Sequence, residues 1–141
     1  MGLLQQLAVT VVLMTIVTVI HGTGVALTDK FFRYEDRELR RLRLAKREFR
    51  LMVPMALCLL GLHASEIAVY ALFYLAAGDS QSFHDALYQS ALAYTTMGVV
   101  EDGITKWPLV AAFEGLVGFL LIGWSAAVFV TDMERVLRPR T

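Results

Sequence analysis

Three long apolar blocks, residues 3–27, 51–77 and 109–131, set the terms for everything else in this chain. Each exceeds the roughly 20 apolar residues that a helix needs to cross the hydrocarbon core of a bilayer. Lipid offers no hydrogen bonds, so such a block must satisfy its own backbone, and a helix does that. The expectation is an all-α membrane protein with three transmembrane helices. Composition agrees: of 141 residues, 57% are apolar, and the mean hydropathy is +0.57. One domain is the natural count at this length. The single cysteine, Cys58, lies inside the second block, which excludes an internal disulfide and fits a packing residue.

The first block (residues 1–27) has His21 as its only ionisable side chain. A secretory signal peptide is disfavoured: no Lys or Arg precedes Lys30, and the apolar run exceeds the roughly 7–15 residues of a signal core. With the span ending at Leu27, His21 falls near a headgroup layer, where a histidine costs little. Residues 28–50 then hold nine basic and five acidic side chains. Asp36 and Arg40 have the i,i+4 spacing that supports a helix, and Phe32, Leu39, Leu42 and Phe49 form one apolar stripe. A basic amphipathic helix at the membrane surface is expected. Its arginines suit the positive-inside rule better than nucleic acid.

The second block carries Pro54 in what reads as its first turn, where a missing N–H costs least. It also holds His63 and Glu66, one turn apart. Ionisable groups at this depth should face protein or water and have partners. Residues 78–82 read as a turn, with Ser82 as a helix N-cap and Asp85 three residues on. The segment 83–94 places Phe83, Leu87, Ala91 and Tyr94 at helical spacing but is too short to span. It should enter the membrane and stop, with residues 95–106 returning to the same surface. Trp107 and Pro108 mark an interface and the start of the third block, in which Glu114 is the only charge.

Of the 13 Lys and Arg residues, nine lie in residues 28–50, three in the tail at residues 132–141, and Lys106 elsewhere. Three spans put the basic segment and the tail on one side. The positive-inside rule makes that side cytoplasmic, with the amino terminus and residues 78–106 outside.

Three patches, His63–Tyr74, Phe83–Gly98 and Glu114–Ala127, resemble the pore module of the tetrameric potassium-channel superfamily. More closely, they resemble short bacterial ion-channel proteins grouped with the two-pore-domain potassium channel family. The resemblance covers roughly residues 60–130 and implies a pore module over residues 51–131: a span, a re-entrant pore helix, a filter loop and a second span. It also implies a homotetramer in a bacterial plasma membrane, with K+ or Na+ as permeant ions and no further cofactor. The family's filter pattern is Thr-Thr-x-Gly-Tyr-Gly-Asp. Here Thr95, Thr96 and Gly98 match across Thr95-Thr96-Met97-Gly98, while Val99 replaces the aromatic residue, Val100 the second glycine and Glu101 the acid.

Such a filter coordinates ions with rings of backbone carbonyls. Glycine adopts φ > 0 freely, whereas a β-branched residue such as Val100 resists it. The inner half of the filter is therefore expected to be conventional and the outer half altered. The consequences are weaker selectivity, tuning for another ion, or loss of conduction. Glu101 and Asp102, repeated in a ring, would concentrate cations at the pore mouth. His63, Glu66 and Glu114 are expected to meet behind the loop, as a structural brace, a proton-sensitive gate or a metal site. Gly118 and Gly123 are hinge or close-packing candidates, and Trp124 and Ser125 are expected to face a neighbouring chain. No nucleophile constellation, phosphate loop or strong metal motif appears, so no enzyme is expected. The leading expectation is a weakly selective cation channel. Its rivals are a non-conducting sensor or modifying subunit, and a proton or metal-ion pathway using His63 and Glu66.

Overall fold

The computed structural model describes residues 2–38, 44–98 and 105–137, with only the backbone described at residues 37, 38, 44 and 45. It contains four helices: α1 (Leu3–Glu38), α2 (Leu44–Ala76), α3 (Phe83–Tyr94) and α4 (Pro108–Leu137). No strand occurs among the described residues. Helices α1, α2 and α4 are each long and apolar enough to cross a membrane. At 12 residues, α3 is not.

The apolar blocks are the middles of longer helices. Residues 28–38 continue α1 without a break, and residues 44–50 open α2. The basic segment is therefore not a helix of its own; its described parts are the ends of two helices that lean on each other. The i,i+4 partner expected for Asp36, Arg40, lies outside the described residues. Asp36 binds Arg47 of α2 at 2.6 Å. Phe32 is buried against Leu51, Met55 and Val136, whereas Phe49 is 69% exposed, so the proposed stripe is not one surface. Leu39 and Leu42 of that stripe fall outside the residues with described side chains. Because α2 starts at Leu44, Pro54 lies well inside a helix rather than in its first turn. There it removes one internal hydrogen bond.

Helices α1, α2 and α4 pack on one another, and α3 is wedged between α2 and α4. A continuous apolar core joins Leu13 and Val17 of α1 to Tyr70 and Tyr74 of α2 and to Val110 and Val117 of α4. Near the other end, Asp29 of α1 binds Arg33 at 2.7 Å, and Arg135 of α4 contacts both Asp29 and Asp132. That charged group ties α1 to α4 where residues 28–38 extend beyond the apolar block.

The entry to α3 is fixed by its cap. Ser82 Oγ accepts the Asp85 backbone N–H at 3.1 Å and donates to the Asp85 carboxylate at 2.7 Å. That bond, with His84 alongside, holds the Asp85 carboxyl below its ordinary range. The turn before it is held from a distance. Asp79 accepts the Lys106 backbone N–H at 2.7 Å, the Thr105 hydroxyl at 2.5 Å and the Gln89 side chain at 3.2 Å. Lys106 Nζ in turn donates to Gly78 O at 2.5 Å. Trp107, expected at an interface, is buried and meets Phe73 edge-on at 5.1 Å. Pro108 opens α4 as expected. The orphan N–H of Leu109 finds the Gln6 side chain of α1 at 3.2 Å.

Small residues let α3 approach α4 closely. A Cβ placed on Gly118 would overlap Tyr94 O, and one on Gly115 would lie 2.9 Å from Ala93 O. At Gly123 nothing lies within 4 Å. Gly118 therefore serves contact with the last turn of α3, and Gly123 does not. Gly118→Ala should force the two helices apart and cost about 1–3 kcal/mol, the usual penalty of overpacking. Gly123→Ala should leave stability unchanged. Thermal unfolding of the two variants in detergent, followed by circular dichroism, separates them.

Candidate functional site

Two carboxylates organise the contact between α3 and the long helices. Glu66 of α2 and Glu114 of α4 are both fully buried. An ionised carboxylate so placed is expensive unless several donors meet it.

Glu114 is met by two hydroxyls. Tyr74 of α2 donates at 2.7 Å and Ser90 of α3 at 2.5 Å. Glu114 thus joins all three helices of this region through one side chain. It was expected to share a cluster with His63 and Glu66; its partners are Tyr74 and Ser90 instead.

Glu66 forms the second centre. Its Oε1 lies 2.8 Å from His21 Nδ1 of α1. Its Oε2 accepts a short hydrogen bond from the Tyr94 hydroxyl at the end of α3 and lies 3.3 Å from His63 Nδ1. His63 Nδ1 is also 2.9 Å from the Tyr94 hydroxyl. On its other side, His21 Nε2 is 3.4 Å from Ser125 Oγ of α4. All four helices therefore contribute to one polar group inside an otherwise apolar bundle.

His21, expected near a headgroup layer, is fully buried among the helices, between Glu66 of α2 and Ser125 of α4. Trp124 and Ser125, expected to face a neighbouring chain, both have contacts within this one. Ser125 is buried against His21 of the same chain, and the Trp124 ring lies 5.2 Å from the His21 ring while remaining 44% exposed. The side-chain donor atoms of His21, His63 and Glu66 all lie within 4.8 Å of one another, a group able to hold a metal ion.

Past Tyr94 the chain closes α3 and turns away. Met97 N donates to Leu92 O at 2.9 Å and Thr96 N to Ala93 O at 3.0 Å. This is the Schellman pattern, which needs a left-handed residue after the cap. That residue is Thr96, at φ 60. A β-branched residue there is strained, and such strain persists only where the surroundings impose it. Gly98 also has positive φ, at 110. Thr95, Thr96, Met97 and Gly98 are all exposed in the single chain, Met97 by 78%. Val99, Val100, Glu101 and Asp102 lie outside the described residues.

Several members of the site were not anticipated: the hydroxyls of Tyr74, Ser90 and Tyr94, the Asp79 anchor, and His21. A signal existed for one of them. Glu66, Tyr70 and Tyr74 recur every four residues and so share one face of α2.

Comparison with protein-family models, with curated proteins and with solved structures finds no match.

Removing a partner from either carboxyl group leaves a buried polar group short of a hydrogen bond, at about 1–3 kcal/mol per lost bond. Tyr94→Phe and Ser90→Ala should each lower stability by that amount in a denaturant titration. The buried and unpartnered hydroxyl of Thr10 gives the control, since Thr10→Val removes no hydrogen bond among the described residues.

Proposed function

We propose that this chain is one subunit of a cation channel of the potassium-channel type, with residues 95–102 forming the narrow part of the path. The observation that carries this reading is where α3 stops. Its last turn meets Glu66 and Gly118, each ten residues from the adjoining ends of α2 and α4 at Ala76 and Pro108. At 1.5 Å per residue that is about 15 Å, half the roughly 30 Å hydrocarbon core. On this reading α3 is re-entrant, and Thr95–Gly98 continue it as exposed, non-helical backbone at mid-membrane.

Lipid does not tolerate such backbone. It must be covered by protein or line a water-filled space. Among the described residues, one chain leaves it uncovered, which argues for a closed ring of copies around an aqueous path. The resemblance to tetrameric potassium channels makes that ring a homotetramer. The basic segment and tail face the cytoplasm, and the turn at residues 78–82 lies outside.

Val99 and Val100 disfavour the backbone angles of a full carbonyl filter, so fewer ion sites remain and selectivity falls. Glu101 and Asp102 would draw cations to the outer mouth. Ions move passively, and the chain performs no covalent chemistry.

The test is flux from liposomes holding the purified protein, under imposed potassium and sodium gradients. Comparable flux of both ions is expected. Val99→Tyr combined with Val100→Gly should shift the ratio toward potassium. A folded tetramer that passes neither ion, before or after the double substitution, would overturn the reading.

A further inference from the structure

The polar centre joining the four helices has a chemical composition that bracing does not require. One carboxylate faces two imidazoles, His21 from α1 and His63 from α2, and one phenol, Tyr94 from α3. A brace needs donors to a carboxylate, and hydroxyls suffice. Glu114 shows this in the same chain, satisfied by Tyr74 and Ser90 alone. Imidazole differs from a hydroxyl in being a strong ligand for transition metals.

We infer that His21, His63 and Glu66 form a binding site for a divalent transition-metal ion such as Zn2+, with the Tyr94 hydroxyl at the fourth position.

Four observations carry it. First, two histidines and a carboxylate are an established zinc donor set that leaves one position open. Second, the spacing is right. Ligands about 2.0–2.1 Å from a tetrahedral ion lie about 3.3 Å from one another. Here His21 Nδ1 is 2.8 Å and His63 Nδ1 3.3 Å from Glu66 oxygens, and the whole set lies within 4.8 Å. Closing it around an ion asks for side-chain movement of about an ångström. Third, the outer partner is present. Ser125 Oγ lies 3.4 Å from His21 Nε2. If Nε2 donates its proton to Ser125, the Nδ1 lone pair points at the Glu66 carboxylate. Two lone pairs cannot face each other at 2.8 Å, so a proton or a cation must lie between them. Such second partners commonly fix the ligating nitrogen of a metal-bound histidine. Fourth, the group is not wholly sealed: His63 keeps 14% of its side chain exposed, while His21 and Glu66 have none.

An ion held by Glu66 would compete with the hydrogen bond that Tyr94 donates to the same carboxylate, so occupancy acts directly on the last residue of α3.

The site stands or falls separately from the channel reading, because its test needs no ion flux. Purified full-length protein in detergent is titrated with Co2+, whose visible absorption becomes intense when coordination is tetrahedral, and Zn2+ is then added as competitor. The expected result is saturation at one Co2+ per chain, with the band abolished by stoichiometric Zn2+. His21→Ala and Glu66→Gln should each weaken binding at least tenfold, and Tyr94→Phe should alter the spectrum. His84→Ala, at an exposed histidine away from the centre, should change nothing. The wild-type protein decides the matter if a variant fails to fold. Absence of a tetrahedral band at millimolar Co2+, or a band lost in His84→Ala, overturns the proposal.

Discussion

A carboxylate removed from water must be met by donors, and in this chain that requirement determines where α3 lies. The apolar surfaces of α1, α2 and α4 pack without directional demand. Any of several rotations would bury a comparable area. Glu66 and Glu114 are different. Each is fully buried, and each is satisfied only when a hydroxyl of α3 arrives at the right height and angle. Ser90 and Tyr94 lie one turn apart on α3, so the two carboxylates grip the same face of the short helix. Hydrophobic packing brings the helices together, and the two carboxylates select one register.

Much of the fold could be read from the sequence, because apolar block length, cap residues and turn composition are local signals. Three long helices, a short one, the Ser82 cap and Pro108 at a helix start all follow from such signals. One error has a physical cause. Hydropathy marks where lipid contact ends, not where a helix ends. Taking Leu51 as a helix limit put Pro54 in a first turn, whereas the structure carries α1 to Glu38 and begins α2 at Leu44, which leaves Pro54 well inside a helix.

The polar contacts were less legible, for a different reason. His63 and Glu66 stood out because charge in an apolar block is costly. Tyr74, Ser90 and Tyr94 did not, since hydroxyls are cheap in helices and their partners lie 24 to 40 residues away. Pairing across such distances depends on helix rotation, which periodicity alone leaves open. Asp79 was hidden likewise: its sequence context is a turn, and only the return of Thr105 and Lys106 shows that it closes a loop.

Anchoring of α3 at several points has a mechanical consequence. Its first turn is capped by Ser82, its middle is held by Ser90 on Glu114, and its end by Tyr94 on Glu66. Gln89 adds a bond to Asp79 in the turn before α3. A helix held at these points fixes where the residues beyond Tyr94 leave it. There Thr96 holds a strained left-handed conformation with its side chain exposed, and Gly98 turns the backbone again. The left-handed conformation at Thr96 is what the Schellman closure of α3 demands, so it is imposed by the same helix end that Glu66 holds through Tyr94.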